Sequence, residues 1–109
     1  MTPSTTLSTT PALVLHAVAT GHRYGFDVMD ATGLPSGTVY PALRRLEDSG
    51  FVRSSWEPHA RAERAKRPRR RYYEVTASGV TALEAARRRF PWLGAVGSTS
   101  ATGAEPSKA

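Results

Sequence analysis

Apolar positions return every three to four residues in four stretches of the chain, and every second residue in two others. In PALVLHAVAT, residues 11–20, Leu13 and Ala17, then Val14 and Val18, stand four apart, the spacing of one helix face. Thr10 is the expected N-cap of this first helix, Pro11 its first helical residue and Gly21 its stop. YGFDVMDATG offers Phe26, Val28 and Met29 in a short second helix, which Gly33 closes from the left-handed position just past its end. Leu34 precedes Pro35 and is therefore extended, so a tight turn leads to a third helix. Its expected N-cap is Ser36, and Val39, Leu43 and Leu46 form its buried stripe. Gly50 ends it, with Phe51 packing back on the last turn.

After Gly50 the period shortens. FVRSSWE and RRYYEVT are rich in β-branched and aromatic residues and read as the two strands of a hairpin. The alternation puts Tyr73 and Val75 on one strand face and Tyr72 on the other. A last helix starts at TASGVTALEAARRRF, with Thr76 as N-cap and Val80, Leu83, Ala86 and Phe90 at helical spacing, and Pro91 limits its length.

Three helices followed by a two-stranded ribbon is the element order of a winged helix-turn-helix. The expected fold class is mainly α with a two-stranded β-hairpin wing (α+β), plus a short C-terminal helix. The expected organisation is a disordered N-terminal tail at 1–10, the winged helix-turn-helix at 11–75, a C-terminal helix and dimerisation element at 76–93, and a second tail at 94–109. Both tails are small and polar: seven of the first ten residues are Ser or Thr, too little apolar surface to offset the entropy of ordering.

Charge narrows the partner. Fifteen Lys and Arg against nine Asp and Glu give a net charge of +6, which favours nucleic acid or an anionic membrane surface. The segment Arg61 to Arg71 holds seven basic residues and one acid, Glu63, and so carries a net +6 by itself. The longest apolar run, Pro11 to Ala19, is interrupted by His16 and is too short to span a bilayer. Residues 1–10 lack the pattern of a signal peptide. A cytoplasmic protein with no membrane partner is expected. With no cysteine, disulfides and thiolate metal sites are excluded.

Two features carry candidate chemistry. Ser36, Gly37, Thr38, Tyr40, Pro41, Arg44 and Arg45 lie off the buried stripe of the third helix, so they face outward together. Small hydroxylic residues permit close approach, free N–H groups at a helix start favour phosphate, and arginine pairs with guanine. Helix 36–49 is thus placed in the major groove, unless it is simply a solvated amphipathic helix. The basic wing, 58–71, suits a phosphate backbone or the minor groove; a mobile loop or a membrane-attracted one has the same composition. Pro41 forfeits the bond its N–H would make to the Gly37 carbonyl and is expected to bend the helix start.

Other constellations are weaker. Trp56, Tyr72 and Tyr73 form a stacking platform for single strands on composition alone, but the strand period assigns them to core and cross-strand pairs. His16, His22 and His59 are scattered, without carboxylates at ligand spacing, so no metal is expected, and His16 falls on the first helix's packing face. No nucleophile–base set, facing carboxylate pair or phosphate-cradling glycine motif occurs, so an enzyme is not expected, nor is a cofactor.

RYGFDVM, LPSGTVYPALRRLEDSGFV and RPRRRYYEVTASGVTAL resemble signature segments of PadR-like winged-helix transcriptional regulators, over roughly residues 12 to 90. The resemblance implies a homodimeric repressor on a pseudo-palindromic double-stranded DNA operator, relieved in many members by a small-molecule effector. It places Ser36, Thr38, Tyr40 and Arg44 on the DNA-facing helix, Tyr24 near the backbone at the start of the second helix, and Lys66, Arg67, Arg69 and Arg70 in the wing. Two departures stand out. The family's long dimerising C-terminal helix meets Pro91 here, and Ala65-Lys66 stands where the family often has a glycine. The alternatives are a ligand sensor with Phe90 and Trp92 walling a dimer-interface pocket, and a winged-helix module that binds an acidic protein.

Overall fold

A computed structural model of the chain describes residues 7–96. The element order is α1 (Thr9–Ala19), α2 (Gly25–Thr32), α3 (Ser36–Asp48), β1 (Val52–Trp56), α4 (His59–Arg64), β2 (Arg71–Val75) and α5 (Ala77–Arg89), followed by a 3-10 turn at Pro91–Ala95. The fold is mainly helical with a two-stranded antiparallel hairpin, as the periodicity predicts.

Helix α1 is the centre. Ala12, Val14, Leu15, His16, Ala17 and Val18 are all buried, because α2, α3, β2 and α5 pack around it. It begins at Thr9 with Ser8 as N-cap rather than at Thr10–Pro11. Pro11 still falls in the first turn, where no N–H partner is needed. Leu7, expected in a tail, is buried in the core, and Arg89 Nη1 donates to its carbonyl at 2.7 Å. The rest of that tail, residues 1–6, lies outside the described residues, as does 97–109 of the second one.

Helix α2 ends at Gly33, whose φ of 75° is left-handed, and Gly33 to Pro35 form the turn. The N-cap of α3 is Pro35, not Ser36. The Pro35 carbonyl accepts from the amides of Thr38 and Val39, and Ser36 makes no cap with its side chain. Pro41 therefore sits one residue deeper in the helix than expected, and α3 runs through it unbroken to Asp48. Val39, Ala42, Leu43 and Leu46 are buried, each leucine contributing roughly 2–3 kcal/mol by leaving water. At the far end Phe51 N–H bonds the Leu46 carbonyl and Gly50 N–H that of Glu47, the paired closure that a left-handed Gly50 permits.

Strands β1 and β2 pair in register from Val52 opposite Val75 to Trp56 opposite Arg71. Tyr73 is buried and Tyr72 half-buried, as the alternation requires. The segment read as a basic wing loop contains α4, a single short helix pinned by buried Ala62.

Thr76 caps α5 as expected: its Oγ1 accepts from Gly79 N–H at 3.1 Å and donates to the Gly50 carbonyl at 2.6 Å. The buried stripe is shifted from the expected one. Gly79, Ala82, Leu83 and Ala86 face the core, while Val80 is 47% exposed. A Cβ at Gly79 would overlap the Phe51 carbonyl oxygen, so α5 lies against the α3–β1 corner at backbone distance. Phe90 leaves the helix and the 3-10 turn buries Leu93. His16 is buried as predicted; its Nε2 bonds the Val96 carbonyl at 3.0 Å and its Nδ1 faces Arg87. Burial holds the His16 pKa below the usual histidine value, against the pull of that carbonyl. No described helix is long and apolar enough to cross a membrane.

Candidate nucleic-acid interface

Helix α3 turns Ser36, Gly37, Tyr40, Pro41, Arg44 and Arg45 to solvent, with Thr38 half-buried. The side chains of Arg44 and Arg45 form no hydrogen bond or ion pair with any described residue, so their donors are available. Nothing lies within 4 Å of a Cβ placed on Gly37, which leaves the helix tip narrow and open. The ring of Tyr40, 48% exposed, rests on Gly25 at the start of α2, where an added Cβ would overlap it. Gly25 thus sets the direction of Tyr40, a dependence that the local sequence does not reveal.

The wing is ordered by one acid that the sequence reading passed over. Glu57 is buried, and both of its carboxylate oxygens are engaged by Arg67, at 2.6 Å and 2.9 Å. The Arg70 amide donates to Oε1 at 3.2 Å and the Tyr72 hydroxyl to Oε2 at 3.3 Å, and Arg61 stands 3.9 Å away. The Arg67 hydrogen bonds above all, then the Arg70 amide and the Tyr72 hydroxyl, hold the Glu57 pKa down to about 2 against the cost of burial. The Glu57 carbonyl accepts from Arg69 Nε at 2.8 Å, and its N–H bonds the Arg70 carbonyl. A carboxylate just ahead of a run of seven bases was the available signal.

This arrangement divides the predicted wing residues. Arg67 is turned inward and neutralised, so its place is in the frame of the wing. Lys66 is exposed and takes a φ of 57°, the only positive value at a non-glycine among the described residues. It belongs to the pair Ala65-Lys66 where the resemblance expects a glycine, and a left-handed backbone is the conformation that favours one. Arg69 and Arg71 flank the Trp56 ring at 5.6 Å and 5.4 Å. Arg71 also reaches Glu47 at 3.5 Å. Arg70 lies 4.1 Å over the Tyr24 ring, and Tyr24 meets Tyr72 edge-on at 5.8 Å.

The start of α2 is bonded to the wing: Tyr73 N–H donates to the Arg23 carbonyl at 2.7 Å. Tyr24, Tyr40, Trp56 and Arg69 to Arg71 accordingly surround one cavity of about 570 Å³. The structure brings the two predicted features, helix tip and basic hairpin, to a common groove. No group of three or more metal-ligating side chains occurs among the described residues.

Residues 14–85 match the model of the transcriptional regulator PadR-like family. The chain belongs to that family. No functionally curated protein matches the chain. Among solved structures, a PadR family regulator from Clostridium difficile R20291 is similar at a TM-score of 0.65 and 22% identity, over 78% of this chain and 90% of that one. A PadR-like regulator from Bacillus cereus is similar at 0.60 and 17%, over 89% and 92%. Bordetella bronchiseptica BpsR, described by its regulation of DNA binding by 6-hydroxynicotinic acid, is similar at 0.66 and 20%, over 96% and 72%. At these identities the likeness shows the PadR-like winged-helix fold.

Proposed function

We propose that the protein is a sequence-specific double-stranded DNA-binding repressor that acts as a homodimer. In this reading helix 36–49 enters the major groove and the wing, 58–71, follows the backbone or the adjacent minor groove. The observation that carries it is the pair of unengaged arginines, Arg44 and Arg45, on the exposed face of α3 beside a wing in which Arg67, Arg69 and Arg70 are held in place by Glu57 and Tyr24. Arg44 takes the base-reading role, while Arg69, Arg70 and Lys66 take phosphates. Val80 on α5 and Trp92 in the turn after it, exposed at 47% and 45%, are the apolar side chains that a second copy would cover.

The test is an anisotropy titration against the gene's own upstream duplex at several salt concentrations. Each neutralised phosphate contributes a slope of about −0.9 in log K against log salt, so the account predicts steep salt dependence. No salt-dependent binding would overturn it.

A second reading adds a small-molecule effector at the dimer interface. It is favoured by the Phe90–Trp92 ring pair, 5.6 Å apart and tilted by 44°. Quenching of Trp92 by planar aromatic cations, read in a Trp56→Phe background, supports it; an unchanged emission sinks it.

A further inference from the structure

Five large apolar side chains are exposed among the described residues, and three of them, Phe26, Tyr40 and Trp56, line the single groove between α2, α3 and the wing. Phe26 is 68% exposed, the most of the five. It lies in the first turn of α2, where its neighbour Gly25 is buried. Nothing in the fold needs a ring there, since no aromatic or cation partner rests on Phe26 among the described residues. Trp56 differs: guanidinium groups stand over it, yet half of its surface still meets water.

The lining combines exposed rings with guanidinium groups. Apolar rings lie beside fixed guanidinium groups, with Arg69 tied to the Glu57 carbonyl and Arg71 to Ser54 Oγ at 2.9 Å. A deoxyribose–phosphate strand offers partners for both, with an apolar sugar face between charged phosphates. A flat membrane surface would meet the charge but not enter a groove lined from α2, α3 and the wing together, and a protein strand carries no regular anionic repeat.

We infer that this groove seats one strand of the DNA backbone, with Phe26 and Trp56 packed on sugar faces and Arg69 and Arg71 on the flanking phosphates. The inference rests on the DNA-binding reading and adds two contacts to it, neither of them cationic. Their contribution is area removed from water, so it is independent of sequence and of salt. The arginines in the same groove act through counterion release and set the salt slope.

The experiment uses the full chain and a random-sequence duplex of about three helical turns at several salt concentrations. Phe26→Ala is the decisive variant, because the ring is exposed and its removal leaves every arginine contact intact. It is expected to weaken binding about ten-fold at each salt concentration with an unchanged slope, whereas Arg69→Ala makes the slope shallower by about 0.9. In a Trp92→Phe background Trp56 is the sole tryptophan, and its emission is expected to change with the same midpoint as the anisotropy. Normal binding with silent Trp56 emission and a Phe26→Ala affinity within about two-fold of the parent overturns the seat but leaves the DNA-binding reading standing. Failure of the parent to bind any duplex overturns both.

Discussion

Gly37→Ala separates what the recognition helix needs for itself from what it needs for DNA. Gly37 lies in the first turn of α3, at a conformation open to any residue, and an added Cβ meets nothing within 4 Å. In the free protein the methyl therefore meets no clash, and it removes the excess backbone freedom of glycine in the unfolded chain. The expected gain is about 0.5–1 kcal/mol, which for a domain of this size is a rise in Tm of about 2–8 °C. In the proposed complex with DNA, the same methyl would stand at the tip of the helix, between the backbone and the base edges. Loss of close approach there is expected to weaken binding to a preferred duplex roughly ten-fold, on the scale of one lost base contact. Thermal melts and fluorescence anisotropy on the same preparation measure both signs. A variant that is more stable and binds as well as the parent would refute the placement of this tip against DNA.

Gly79→Ala should behave in the opposite way: helix propensity favours alanine by about 1 kcal/mol, but the Cβ would overlap the Phe51 carbonyl. A net loss of about 1–3 kcal/mol in denaturant titration is expected, and a gain would contradict the tight α5 contact. Lys66→Gly relieves a left-handed lysine and should raise stability by up to about 1 kcal/mol. If Lys66 meets a phosphate, the salt slope of DNA binding should also fall by about 0.9. The pH profile should show two separate losses. The His16 pKa is depressed by burial in the folded state, so His16 favours folding above its ordinary value of 6.5 and that contribution fades as the pH falls below it. Glu57 is held down from 4.5 to about 2, so the stability it adds is complete above pH 4.5 and is lost as the pH falls toward 2. Glu57→Gln should remove the second loss and keep the first, as read by denaturant midpoints across pH.

The elements legible in the sequence were those whose pattern is local. The stripe Val39, Leu43 and Leu46 lies within one helix, and Thr76, Gly33 and Gly50 act on immediate neighbours, so period and capping chemistry suffice. Helix α1 was legible as a helix, but its burial on nearly every side depends on four elements that close around it. A helix as short as α4 cannot nucleate alone; it is held by Ala62 and the turn at Lys66, which periodicity does not register. The shifted face of α5 follows from Gly79, which only the nearby Phe51 carbonyl makes obligatory.

The site divides along the same line. Arg44 and Arg45 were placed on the exposed face by helical geometry alone, whereas the direction of the Tyr40 ring depends on Gly25 in the preceding helix. Composition marked the wing as cationic but could not say which cations are engaged within the protein. Glu57 meets Arg67 across ten residues of chain, so the inward turn of Arg67 became visible only with the hairpin closed. Pro41 now reads as the sixth residue of a continuous helix whose exposed face carries the candidate contacts.

The central claim is that α3 reads bases while the wing holds the backbone. Duplexes selected from a random pool by the parent protein provide both a preferred and a random target for its variants. Arg44→Ala is predicted to lose about 1–3 kcal/mol on the preferred duplex and little on random DNA, whereas Arg69→Ala should weaken both alike. Equal losses on the two targets for both variants would contradict the account.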